Sequence, residues 1–519
     1  MSNKAKGTTR TVLMLSIFSF LSKILGFLRV SLISSKYGTQ SSYDAFVLAL
    51  AGIGIFTTVV SNTIGTTLIP VLGEVESKEG KQGKRDHLNN FVTIIATVSI
   101  ILTVVGIIFT PVFMKLFARG FKDNEELFAL VVKLTRIGFP TVVTSSLIGV
   151  FRGYLQSEGM FKESATAGLL TNIIMITFLL VLADKFDVEA LMIAYVIASS
   201  APLIVQLYSL KSTGYTYDYL MDLSDKYMRR VMSMLPPVLI GVAVTDINKI
   251  VDNTLASSLP TGSVSAMDYA LRLDSITTGI FVASIMTVVF PMLSIAANEK
   301  DRAGLKKATI KGLNTILLVT IPAAIGMMVL ATPIVTLAFQ RGKFDALATE
   351  MTAGALKFFS LGVVFSAIKG FSYRVFYSIQ DTKTPVINSA VTVAFNIIFN
   401  LMLVKSMQHE GLALATSMAH FVTSFLILFL LRRKMGPFGF KESFIVGIKS
   451  LVASLIMGVF AFYSYNYFIS LVPSGKLGLS IALFSSVLLS AGLYFVLTLL
   501  FRIEEVHFIV SSFKRKLQK

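Results

Sequence analysis

Lys23, Arg29 and Arg272 each sit inside an apolar run long enough to cross a bilayer. A cation at the centre of a hydrocarbon slab costs roughly 2.5–3.5 kcal/mol on insertion scales, so such residues mark function unless neighbours satisfy them. A guanidinium presents a planar fork that matches phosphate oxygens, and a lysine adds a flexible point charge. The chemistry expected is therefore the binding of an anion within the membrane. At about 1.5 Å of rise per residue, Arg29 lies about 9 Å below the outer end of the first run and Arg272 about 10 Å below that of the eighth. At that common depth the pair could clamp one anion. Lys23 and Arg29 are about 120° apart on a helix, so only flexible stems would bring them together. The competing reading is local neutralisation, by Asp44 near the outer end of the second run, or by Asp268 and Asp274 beside Arg272.

A second group is acidic and polar. Asp246, Lys249 and Asp252 are neighbours on the seventh run, and Asn396 and Asn400 are one turn apart on the eleventh. They read either as an internally paired stripe or as a coupling site for Na+ or H+, with Lys249 standing where the ion would bind. Three of the four histidines, His87, His409 and His507, fall in connections or the tail, so no metal site is expected. With no cysteine, disulfides and thiol chemistry are excluded.

The elements that must position these residues lie in lipid. The 519 residues are 54% hydrophobic and only 15% charged, against about 25% charged in soluble domains. Fourteen apolar runs of spanning length are expected: 11–35, 43–72, 89–118, 127–151, 164–183, 188–210, 231–256, 265–297, 308–332, 350–373, 385–404, 411–431, 444–470 and 478–501. The first carries interior charge and lacks a small-residue cleavage site, unlike a signal peptide. Lys and Arg gather at the N-terminus and in every second connection, such as Lys78, Lys81, Lys84 and Arg85, whereas 257–264 has none. The positive-inside rule then places both termini in the cytoplasm. It also accounts for the net charge of +18 without nucleic acid.

A weak repeat runs at an offset of about 221–222 residues, flagged by PVFMKLFARG (111–120) and PIVTLAFQRG (333–342). Arg152 matches Arg374, Pro70 matches Pro291, and Ala45 and Ala49 match Ala266 and Ala270. Six helices per repeat preserve orientation, so the expected fold is an all-α polytopic membrane protein. Two pseudo-symmetric six-helix lobes (1–228 and 229–433) would surround a central cavity, followed by two further helices and a basic tail (434–519). Arg29 aligns with Ile250 and Arg272 with Ala51, so neither cation is needed by the repeated scaffold, which favours a ligand role. The Arg-Gly pairs at 119–120 and 341–342 read as anchoring turns at outer helix ends. Asp381, Thr382 and Thr384 before Pro385 read as a helix start. The short connections leave no room for a glycosyltransferase domain. No Gly-rich loop with Lys-Ser/Thr appears for ATP.

Several stretches also carry a family likeness: LSKILGFLR followed by YDAF, ASSLPTGSVSAMDYALRL with FPMLS beyond it, FQRGKFD, and FYSIQDTKTP. In order, over nearly the whole chain, these resemble the MviN/MurJ lipid II flippases of the multidrug/oligosaccharidyl-lipid/polysaccharide exporter superfamily. The resemblance implies a cationic cavity between two lobes, with two extra helices forming a lipid-side groove. Arg29 and Arg272 match cavity arginines, Lys23 stands where arginine is usual, and Asp44 matches the acid of the Asp-Ala-Phe motif. Thr57, Thr58 and Asn62 replace charged residues that the family often carries, and Val30 replaces an acid, which leaves the exact lipid-linked substrate open. The implied activity is transport, not catalysis. Lipid II, an undecaprenyl-pyrophosphate-linked peptidoglycan precursor, would cross a bacterial inner or plasma membrane by alternating access. No cofactor is implied; the drive would be membrane potential alone or Na+ or H+ coupling. Partners would be lipid II, membrane lipids and the cell-wall synthesis machinery. The rivals are a flippase for another lipid-linked oligosaccharide, a cation-coupled drug antiporter, which should favour intramembrane acids, and a non-transporting scaffold.

Overall fold

The computed structural model describes residues 2–299, 301–437 and 439–507; side chains are described for these except 2–13, 16, 58–63, 65, 66, 234–247, 277, 278, 280–292, 294, 297 and 298. Helix is the only regular structure among them, as expected where no water can satisfy backbone N–H and C=O groups. In chain order the helices are α1 (Ser2–Tyr37), α2 (Ser41–Phe117), α3 (Glu125–Gly138), α4 (Thr141–Ser157), α5 (Lys162–Val181), α6 (Val188–Ser212) and α7 (Lys226–Ser257). Then follow α8 (Ser263–Asn298), α9 (Arg302–Val329), α10 (Ala331–Phe339), α11 (Ala346–Ser378), α12 (Lys383–Met435), α13 (Phe440–Leu471) and α14 (Lys476–Leu500). All fourteen apolar runs fall on helical residues, to within a few at their ends. The run 127–151 is interrupted at Phe139-Pro140, because Pro140 has no N–H to continue α3. Among the described residues, ten helical stretches are long and apolar enough to cross a membrane.

Helix starts follow local chemistry. Asn124, Asp225, Asp301 and Asp345 each accept a bond from a backbone N–H in the first turn of α3, α7, α9 and α11. Two helices are too long to be straight. α2 would run about 115 Å at 1.5 Å per residue. It breaks at Gly80, whose φ of 75° suits glycine, and folds back so that Leu68, Leu72 and Val75 share one core cluster with Leu88, Phe91 and Ile95. α12 breaks at Gln408 and folds back likewise.

Contacts divide the chain into two compact units, one of residues 1–265 with 341–344, the other of 266–340 with 345–519. In the first, α2 packs on α3, α4 and α7, and α1 lies along α5. The first unit extends past the repeat boundary at 228/229 because both ends of α7 are tied to α2. At one end Asp225 meets His87 at 2.7 Å, Lys226 meets Glu79 at 2.9 Å, and Arg230 pairs with Glu74. The Lys226 and His87 bonds hold the Glu79 carboxyl down to about 2. At the other end Thr254 donates to the Phe117 carbonyl. In the second unit α9 and α11 pack together, α11 joins α12, α13 packs on α9, and α14 on α13.

Candidate substrate site

α1 docks on α5 through small residues. Asn172 donates to the Ser22 carbonyl at 2.9 Å and lies against Gly26, while Gly168 faces Ser22. Close backbone approach of this kind holds helices together where lipid gives no hydrophobic drive. Lys36 at the helix end pairs with Asp184 at 2.5 Å. On this anchored helix Lys23 is exposed and Arg29 half-buried.

Asp44 behaves differently. Its carboxylate is 2% exposed and accepts from Gly262 N at 2.7 Å, Ser265 N at 2.8 Å and the Ser265 hydroxyl. Gly262 directly precedes α8 and Ser265 lies in its first turn, where backbone N–H groups have no helical partner. Asp44 is thus a cap supplied to α8 from another helix.

The duplicated Arg-Gly turns have a reciprocal structural role. Gly342, at φ 56°, lies against the end of α1, where a Cβ would overlap the Ser35 carbonyl, and Lys343 N donates to that carbonyl at 2.8 Å. Gly120 lies against the end of α7, where a Cβ would overlap the Ser257 carbonyl, and its N–H donates to Ser257 Oγ at 3.1 Å. Each turn therefore closes over the first helix of the other repeat. Arg341 also bonds the Ser31 hydroxyl.

In the second unit Arg272 Nε meets Asp268 Oδ2 at 2.7 Å, one turn away, with 35% of the arginine side chain exposed. The sequence alternative of a carboxylate neighbour is thus realised for Arg272 through Asp268, while the exposed part of the side chain stays accessible. Asn396 and Asn400 are both buried. Asn400 donates to Asn396 at 2.9 Å, and Asn396 donates to Thr416 across the fold of α12 at 3.0 Å. With Asn388 and Thr392 they form an i,i+4 ladder, continued by Asn388 to the Thr423 carbonyl and Thr392 to the Thr423 hydroxyl. This ladder zips the two arms of α12. Asp252 is half-buried and accepts a long 3.3 Å bond from Asn248; the Asp246 side chain lies outside the described residues. Among the described residues no cluster of His, Asp or Glu could hold a metal.

Lys369 is a further cation inside the run 350–373. Its ammonium lies 2.8 Å from His420 Nδ1 and donates to Thr392 Oγ1 at 3.2 Å, both neutral acceptors on α12 when the imidazole is unprotonated. Its sequence signal is a lysine in an apolar run, no different in kind from Lys23. Asp381 accepts from Thr384 N and Oγ1 at the start of α12 and pairs with Lys434 near its end. Burial opposes ionisation there, but the Lys434 and Thr384 bonds outweigh it and bring the carboxyl down to about 2.

An apolar groove of about 310 Å³ lies between α9, α11, α12 and α13, walled by Leu317, Ile321, Phe365, Phe425, Phe444 and Leu451.

The all-helical fold has solved counterparts, among them a transporter of the MOP superfamily. A multidrug resistance MATE family transporter of that superfamily, solved in an inward-facing conformation, aligns with a TM-score of 0.68 at 15% identity, over 80% of this chain and 94% of that one. A lipid II flippase MurJ solved in an inward closed conformation aligns with a TM-score of 0.80 at 23% identity, over 94% of this chain and 99% of that one. Residues 33–490 match the family model described as lipid II flippase MurJ. The chain belongs to the lipid II flippase MurJ family, a family of transporters and not of enzymes. A lipid II flippase MurJ from Burkholderia cenocepacia is 29% identical over 82% of this chain and 84% of its own length. Probable lipid II flippases from Buchnera aphidicola (29%, over 87% and 89%) and Treponema pallidum (27%, over 86% and 86%) are similar along the same extent.

Proposed function

We propose that this protein moves lipid II from the cytoplasmic to the outer leaflet of the bacterial inner or plasma membrane, supplying peptidoglycan synthesis. The observation that carries this reading is a MurJ-family chain that keeps cations inside its spans, on α1 and α8. The polar head would enter a cavity between two six-helix lobes, its pyrophosphate held by Arg29, Arg272 and Lys23. Arg272 would exchange part of its Asp268 contact for the diphosphate. Asp44 would hold the start of α8, and so Arg272, in place. The polyprenyl tail would stay in lipid along α13 and α14; the apolar groove beside α13 suits such a chain.

In this reading the protein crosses the membrane fourteen times with both termini in the cytoplasm, as the alternation of basic connections requires. Rocking of the lobes exposes the head outside. With the interior negative, export of an anion gains roughly 2.3 kcal/mol per charge per 100 mV, enough to bias the cycle without ATP. Asn396 and Asn400 are bonded within α12. That favours potential alone over a Na+ or H+ site built from them with Asp246 and Asp252. Contact with cell-wall synthesis enzymes would follow from the product's fate.

The test is a lipid II surface-exposure assay in cells depleted of this protein. Depletion should trap lipid II in the inner leaflet and arrest wall growth. Unchanged exposure of lipid II, with a different lipid-linked saccharide retained inside, would transfer the protein to that substrate.

A further inference from the structure

A second cavity, of about 930 Å³, lies in the second unit where α9 and α13 begin and α14 ends. Arg502, at φ 51°, turns the chain after α14. The turn folds Ile503 and Val506 against Leu318 of α9, and Lys449 donates to the Phe501 carbonyl at 2.8 Å. This places Glu505 beside Asn314, whose amide donates to Glu505 Oε1. Asn314 is only 3% exposed. Asn314 Oδ1 and Glu505 Oε2 are buried with no hydrogen-bond partner among the described residues. Both residues line the cavity, together with Lys306, Lys307, Lys311 and Arg502. A buried acceptor without a donor is costly, so two of them beside a basic wall call for an occupant that donates at one end and is anionic at the other.

We propose that this cavity binds the headgroup of an anionic glycerophospholipid of the phosphatidylglycerol type from the cytoplasmic leaflet. The phosphodiester sits among Lys306, Lys307, Lys311 and Arg502, and the glycerol hydroxyls donate to Asn314 Oδ1 and Glu505 Oε2. Two further features favour a lipid over a free phosphate. Ile310, Ile445 and Val446 add an apolar wall suited to the acyl-glycerol region. The lining also extends from Ala303 to Asn314, about 16 Å along α9, which reaches below a headgroup layer. Basic pockets between helices on the cytoplasmic side are suited to anionic headgroups. Glu442 and Glu504 in the same lining disfavour a more highly charged phosphate. The bound lipid would tie α9, α13 and the end of α14 together. This site is independent of the substrate reading above.

The test uses the purified full chain, stripped of lipid in detergent, with lipid binding counted by native mass spectrometry. Phosphatidylglycerol should bind about tenfold more tightly than phosphatidylcholine, and also more tightly than phosphatidylmethanol, which has the same charge but no head hydroxyls. The Lys306→Gln, Lys307→Gln, Lys311→Gln triple variant should lose about tenfold in affinity, the scale of one charge-assisted hydrogen bond. Asn314→Leu should erase the preference over phosphatidylmethanol; if that variant does not fold, the wild-type comparison of the two lipids decides. Equal binding of all three lipids, or an unchanged triple variant, overturns the proposal. Displacement of the lipid by equimolar soluble glycerophosphoglycerol would also overturn it, since the site would then serve a free metabolite.

Discussion

The start of α2 and the middle of α1 both hold charge in an apolar setting, and they treat it in opposite ways. At the start of α2 Asp44 is closed off and meets three donors from the start of α8. In the middle of α1, Lys23 is exposed and Arg29 only half-covered. The same contrast recurs in the second unit. The asparagine ladder of α12 is bonded across its own fold, while Arg272 keeps a third of its side chain exposed. A buried polar group whose partners are all intramolecular fixes the fold; one that stays accessible is available to a ligand.

Asp44→Ala sharpens this contrast most. It strips a charged acceptor from three donors and should destabilise the protein by about 3 kcal/mol or more, read as lower thermal stability in detergent. A variant of wild-type stability that no longer transports would move Asp44 to the substrate side. Gly342→Ala adds a Cβ at positive φ against the Ser35 carbonyl and should cost about 2 kcal/mol. Gly120→Ala, facing Ser257, should cost a similar amount, and indifference at both would remove the reciprocal-turn account. Asn396→Ala should lower stability by about 1–2 kcal/mol without changing the ion dependence of transport. Lost Na+ or H+ dependence at unchanged stability would restore the coupling reading for Asn396, Asn400, Asp246 and Asp252.

The smallest effect belongs to Asp381. Its carboxyl is depressed to about 2, so the Lys434 contact stabilises the fold above the unfolded value near 4 and is lost as pH falls from there toward 2. Lys434 is half-exposed, so screening limits the contribution to about 1 kcal/mol. Lys434→Gln should remove that increment at neutral pH and leave acid stability unchanged, as equilibrium unfolding at both pH values would show.

Much of the fold was legible because the bilayer imposes one rule on every span: apolar length. The runs, the fold-back connections and the start of α12 at Asp381 could be read directly. The Arg-Gly repeat signalled anchoring turns, but not that each turn caps the other repeat's first helix, because such exchange is invisible to spacing. The partners of Asp44 are hidden from the sequence for a related reason. An acid near an intramembrane arginine looks like its counter-ion, and only the fold brings Gly262 and Ser265 to it, more than 200 positions along the chain. Lys369 lies in an apolar run as Lys23 does. Its pairing with His420 depends on the fold of α12, which no local pattern states.

Lipid II binding and flipping by purified Arg29→Gln and Arg272→Gln proteins, reconstituted in vesicles with an inside-negative potential, test the central claim most directly. The account predicts that each variant keeps the thermal stability of the parent while affinity for lipid II falls at least tenfold, the loss of about 1.4 kcal/mol or more from a charge-assisted contact, and flipping stops. Parental affinity and flipping in both variants would contradict it.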